Sequence, residues 1–188
     1  MTKAKRRGEA GRKAKTRPTR EVLEEHKEVL KTVALFLALC FALNFAYFKI
    51  AGDQRVPREV TAFLVALLLN IIGLNAAANG SFVTVGGRVG DATVNIIGEC
   101  TGIFSIIVYC SVVLAYPTGL KQKAVGLLGV PVLYGITLVR LSSTALVGAF
   151  VPSLLDLFHT YLWQVFLIFF VVLLFLIWRD KVVEKNEK

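Results

Sequence analysis

The chain has 188 residues, 55% of them hydrophobic, and a formal net charge of +9. With a mean hydropathy of +0.64, it has room for one domain. It also carries more Leu, Val, Ile and Phe than a soluble core of this size needs, which excludes a soluble globular protein. The basic excess is concentrated ahead of the first apolar stretch, in KAKRRGEAGRKAKTRPTR. An arm so placed fixes membrane topology or touches anionic lipid, so no nucleic-acid partner is expected.

Residues 1–31 read as a basic, flexible tail with a short helix, EVLEEHKEVLK, whose charges pair at helical spacing. No small-residue cleavage site follows a short apolar core, so a removable signal peptide is not expected. Residues 32–180 read as one transmembrane domain with apolar stretches at 32–50, 60–78, 101–116, 124–150 and 158–178. Most approach the ~20 residues that carry a helix across ~30 Å of hydrocarbon. The polar linker AGDQRVPRE, with Pro57, separates the first two.

Between the second and third stretches the period changes. SFVTVGGRVGDATVNII alternates apolar and polar residues around Gly86–Gly87. That pattern predicts a β-hairpin over residues 81–97, with the two glycines supplying the positive φ angles of a two-residue turn. Such a hairpin cannot leave its edges in lipid and should lie at the surface over the helices. Trp178–Arg179 then forms an interfacial anchor, and residues 181–188 form a polar C-terminal tail. The expected fold is an all-α polytopic membrane protein: a bundle of about five transmembrane helices with a short extracytoplasmic β-hairpin.

Three side chains are out of place among these apolar segments: Cys100 in GECTGIFS, Arg140 in ITLVRLSS and His159 in LFHTYLWQVF. A thiol, a guanidinium and an imidazole are reactive or costly in hydrocarbon; an intramembrane arginine alone costs about 2.5–3.5 kcal/mol on the insertion scale. Together they supply a nucleophile, an anion stabiliser and a general acid/base. Cys100 sits where the hairpin joins the third stretch, so it is expected in the first turn of a helix, under the positive end of the dipole. Asp156 is placed either to orient His159 or to cap the fifth helix. Cys40 and Cys110 read as packing residues, and an odd number of cysteines without close spacing gives neither a disulfide framework nor a zinc pattern. No metal and no cofactor are expected.

Helix rise places the three residues at one depth. Arg140 falls ~24 Å from a start at Ala124, Cys100 ~24 Å from Tyr116 and His159 ~28 Å from Trp178. The Lys/Arg bias puts Arg55, Arg58, Lys121, Lys123 and Arg179 on the cytoplasmic side and the three site residues outside. Five crossings would then leave the basic N-terminal tail outside as well, against the same rule.

The segments GECTGIFS, LVRLSSTALVG and FHTYLWQVF, in that order, resemble the exosortase/archaeosortase family of membrane-embedded cysteine transpeptidases. The resemblance runs from about Val60 to Trp178 and includes the hairpin ahead of the cysteine. It implies that Cys100 attacks a C-terminal sorting signal on an exported protein, forming a thioester. It also implies that Arg140 and His159 are its catalytic partners. The substrates would be exported proteins ending in a short motif, a transmembrane helix and a basic cluster, and the acceptor a membrane lipid or polymer. The location implied is the plasma membrane, with the site on the extracytoplasmic side. Two other classes fit the residues alone. In a non-catalytic membrane scaffold, Arg140 and His159 would pair with neighbours. A small anion transporter predicts discontinuous or inverted halves, which the sequence does not show.

Overall fold

The computed structural model describes residues 19–87, 91–155 and 163–183. It is mostly helical, with six α-helices and one small sheet among the described residues. Helix α1 (Thr19–Ala51) carries the charged EVLEEHKEVLK segment straight into the first apolar stretch. Lys31 pairs with Glu28 at 2.6 Å across one turn of it. Helix α2 covers Arg55–Ile71, α3 Ile103–Ala115, α4 Leu120–Leu127, α5 Gly129–Phe150 and α6 Trp163–Trp178. Among the described residues two segments are long and apolar enough to cross a membrane, His26–Ile50 in α1 and Leu120–Phe150 through α4 and α5.

The second apolar stretch does not stay helical to residue 78. Gly73 takes φ +88°, a left-handed conformation that suits glycine, and ends the helix. Asn70 then captures the returning chain: its Nδ2 donates to the Ala76 carbonyl at 2.8 Å, and the Ala76 amide donates to its Oδ1 at 3.1 Å. The chain continues as strand β1 (Ala76–Asn79), followed by β2 (Phe82–Gly86) and β3 (Asp91–Asn95). The sheet is antiparallel in the order β1-β2-β3.

The expected hairpin is therefore present, with a third strand added. The two-residue turn is Gly80–Ser81, with Gly80 at φ +59° and Asn79 paired to Phe82. Gly86 is not in a turn. It pairs with Asp91, and its amide donates to the Asn75 carbonyl at 3.0 Å. The β2–β3 connection falls on residues 87–90, most of which lie outside the described residues. The hairpin that the glycine pair marks is β2–β3: Gly86 closes β2 opposite Asp91, and the connection starts at Gly87.

The molecule has two ends. At one, α3 runs antiparallel to α4 and α5 in a steady register. Tyr109 donates its hydroxyl to the Gly126 carbonyl at 2.8 Å. Trp178 donates its indole N–H to the Gln122 carbonyl at 2.8 Å, and Tyr116 lies edge-on to both Phe175 and Trp178. At the other end, α2 packs on β1, β2 and α5 rather than pairing with α3 or α6, and it has only a small contact with α1. The buried core there combines Ala62, Val65 and Leu69 of α2, Val83 and Val85 of β2, and Leu141 and Ala145 of α5. The sheet thus lies along α2 and the C-terminal half of α5.

Candidate active site

Cys100 lies at the second of these ends, within the buried cluster of α2, β2 and α5. Strand β3 leads through Ile96, whose amide donates to the Ser81 carbonyl at 2.8 Å, into a single 3₁₀ turn at Gly98–Thr101. The Cys100 amide closes that turn on the Ile97 carbonyl at 2.9 Å, and the Thr101 hydroxyl donates to the Gly98 carbonyl at 2.7 Å. Gly102 follows at φ +73° and is both the end of the 3₁₀ turn and the N-cap of α3. Cys100 therefore precedes α3 instead of sitting in its first turn. The left-handed glycine breaks the helix that the apolar run alone would predict.

Two close approaches hold this turn in place. A Cβ on Gly102 would come within 2.9 Å of Cγ2 of Thr137, so α5 passes directly against the start of α3. A Cβ on Gly98 would sit 2.9 Å from Cδ of Gln54, which puts the α1–α2 connection on its other side. Arg55 and Arg58 therefore stand at the Cys100 end and not, as the Lys/Arg bias predicts, on the side away from it with Lys121 and Lys123. Glycine is required at 102, where φ +73° and the Thr137 side chain leave no room for a Cβ, whereas at 98 the neighbour is the flexible end of Gln54. Thr137 and Gln54 escaped the sequence reading. Thr137 could have been found, because it stands one helical turn before Arg140 on the same face of α5.

Arg140 is buried, with 9% of its surface exposed, and Cys100 is buried at 5% within the apolar cluster of α2, β2 and α5. Arg140 stands one helical turn beyond Thr137, which packs on Gly102, two residues after Cys100. The Arg140 Nε has no hydrogen-bond partner among the described residues, and neither does the nearby Ser142 hydroxyl. A buried guanidinium nitrogen without an acceptor costs more than an ordinary missed hydrogen bond.

His159 and Asp156 lie outside the described residues.

The other thiols stand elsewhere: Cys40 is half-buried in α1 and Cys110 half-buried within α3. Among the described residues no group of three or more His, Cys, Asp and Glu is placed to hold a metal ion. The depth estimate also needs revision in one place. The helix counted from Ala124 is two helices, α4 and α5, broken at Leu128 and followed by Pro131 on α5.

A sequence model of transmembrane exosortases matches residues 27–181. The chain belongs to the transmembrane exosortase family. That match spans α1 through the end of α6 and so takes in both Cys100 and Arg140. Together with the two apolar helices it makes the chain a membrane protein. No curated protein and no solved structure matches it.

Proposed function

We propose that this chain is a multi-pass cysteine transpeptidase of the plasma membrane. It would cleave a C-terminal sorting signal from exported proteins and pass them to a lipid or polymer acceptor. The observation that carries the reading is the buried Arg140, one helical turn beyond the Thr137 that packs on Gly102 beside Cys100, with its Nε unpartnered among the described residues. A guanidinium that served only as a structural ion pair would have its donors filled.

In the proposed reaction, Cys100 attacks the scissile carbonyl as thiolate, and His159 takes the thiol proton. Negative charge moves onto the carbonyl oxygen, and the planar fork of Arg140 donates to it in a water-poor setting. The C–N bond then breaks, and the amine leaves with the proton returned by His159. The acyl group stays on Cys100 as a thioester. An acceptor nucleophile attacks that thioester, its proton passes to His159, and the thiol is regenerated. The substrates are exported proteins with a short motif, a transmembrane helix and a basic tail, and the site faces the extracytoplasmic side.

The test is processing of such a substrate in membranes. Cys100→Ala, Cys100→Ser and His159→Ala are expected to leave it uncleaved, whereas Cys40→Ala and Cys110→Ala process it normally. Full processing by Cys100→Ala would end this reading.

A further inference from the structure

Strand β3 has no part in the chemistry above, although it leads directly to the thiol. It is an edge strand, paired with β2 on one side. Antiparallel partners alternate between hydrogen-bonded and non-bonded positions, and two bonds fix the phase here. The Ile96 amide donates to the Ser81 carbonyl, and the Gly86 amide donates to Asn75 on the β1 side. Within β3 the positions bonded to β2 are therefore Ala92 and Val94, with Ile96 just beyond. Asp91, Thr93 and Asn95 turn their N–H and C=O groups the other way. Among the described residues no hydrogen bond reaches those main-chain groups.

The two edges of the sheet are treated differently. At β1 the Asn70 side chain takes both the amide and the carbonyl of Ala76, which point away from β2. Among the described residues nothing comparable covers β3. Its sequence, DATVN, has neither the proline nor the lysine that commonly blunts an exposed edge. The outward side chains are polar and exposed: Thr93 meets the Thr84 hydroxyl at 3.1 Å, and Asn95 accepts from Ser81 at 3.1 Å. Ala92 and Val94 pack on the core instead. Unpaired main chain is not tolerated in hydrocarbon, so this edge meets water or another chain. From Asn95 to Cys100 there is at most ~17 Å of chain.

We propose that the free edge of β3 binds the part of the exported protein just upstream of the scissile bond, as an added parallel strand. The identity of the occupant rests on the transpeptidase reading, and the direction follows from where the substrate goes next. Residues downstream of the scissile bond enter lipid, where only helix satisfies the main chain. Upstream residues carry no such restriction and lie extended. Running parallel to β3, they deliver the scissile carbonyl to the end of the strand, where the chain turns into Cys100. Pairing begins within about five residues of that carbonyl. Main-chain bonds of this kind supply affinity whatever the side chains are, which leaves alternate side chains free to be read for specificity.

The test uses the full chain in nanodiscs and the C-terminal segment of an exported protein of the same organism, from ahead of its motif through its basic tail. α-Hydroxy acids replace successive residues upstream of the cleavage site, each exchanging one amide N–H for an ester oxygen. kcat/KM is expected to fall about three- to ten-fold at every second position, the loss of one main-chain hydrogen bond, and to hold in between. On the enzyme side, Thr93→Pro removes an N–H that the sheet does not use, so the β2–β3 pairing survives. It should raise KM by a similar factor with kcat little changed. Thr93→Ala loses the same Thr84 contact but keeps the N–H, and should match wild type. An ester series without alternation, or equal KM in Thr93→Pro and Thr93→Ala, would overturn the proposal. So would a dimer lost in Thr93→Pro at unchanged KM, which would assign the edge to a second copy. If wild type does not cleave the unmodified segment, the transpeptidase reading and this one fall together. Cleavage with a flat ester series removes the edge alone.

Discussion

The two ends of this molecule are held together by different means. Around Trp178 and Tyr109, long aromatic side chains close the gaps between α3, α4 and α6, and their polar tips find main-chain carbonyls. Around Cys100 the packing residues are aliphatic, and the buried polar groups include two without partners among the described residues, Arg140 Nε and Ser142 Oγ. One end is satisfied and the other is not. Stability is invested where nothing reacts, and unsatisfied donors are tolerated where a substrate is expected, as is usual for functional sites.

The sharpest way to break that contrast is Arg140→Lys. If Arg140 aims two donors at a developing oxyanion, lysine keeps the charge and loses the fork, and turnover should fall by ~10²–10³-fold, nearly as far as in Arg140→Ala. Thermal unfolding in detergent should change far less than the rate. Near-normal processing with lysine would make Arg140 a simple charge.

Gly102→Ala tests the junction itself. The new Cβ would collide with Thr137 and hold a non-glycine residue at φ +73°, a combination that costs about 1–3 kcal/mol. The variant should unfold earlier and process poorly. Adding Thr137→Ala should recover part of the stability, because it removes the colliding methyl and hydroxyl but leaves the backbone strain. No recovery would mean that Thr137 does not set the approach of α5.

The smallest effect is expected at the satisfied end. Tyr109→Phe leaves the Gly126 carbonyl without its donor and should cost about 1 kcal/mol of stability. The processing rate below the melting range should be unaffected. A large loss of activity there would show that the two ends are not independent.

Much of this contrast could be read from the residues, and the failures have physical causes. The apolar stretches, the change of period before Cys100 and the oddity of Arg140 in a Leu/Val segment were all legible. The third strand was not, because Ala-Ala-Ala-Asn carries no strand signal. It forms because Asn70 and β2 supply its hydrogen bonds. The place of Cys100 was misjudged by a few residues for a similar reason. Apolar content continues across Gly102, and only a backbone angle reveals the break. Helix α2 has the composition of a bundle helix, but its buried side faces a sheet and α5, a choice that depends on partners distant in sequence. His159 lies outside the described residues, so its part in the site rests on the sequence and the family.

The register of α5 has a consequence of its own. Gly129 is seated against Tyr109 and Thr137 against Gly102, so a little over two helical turns are fixed at both ends. Each residue of an α-helix turns its side chain by roughly 100°. One residue inserted between those two contacts would swing Arg140 about a quarter-turn round the axis, off the direction of Cys100. The same insertion in the 116–119 connection between α3 and α4 would leave that bearing unchanged. The bearing of Arg140 relative to the start of α3 is thus an angular phase, counted in residues, and if Arg140 serves Cys100 as proposed, a deletion scan along α5 should show periodic loss and return of activity.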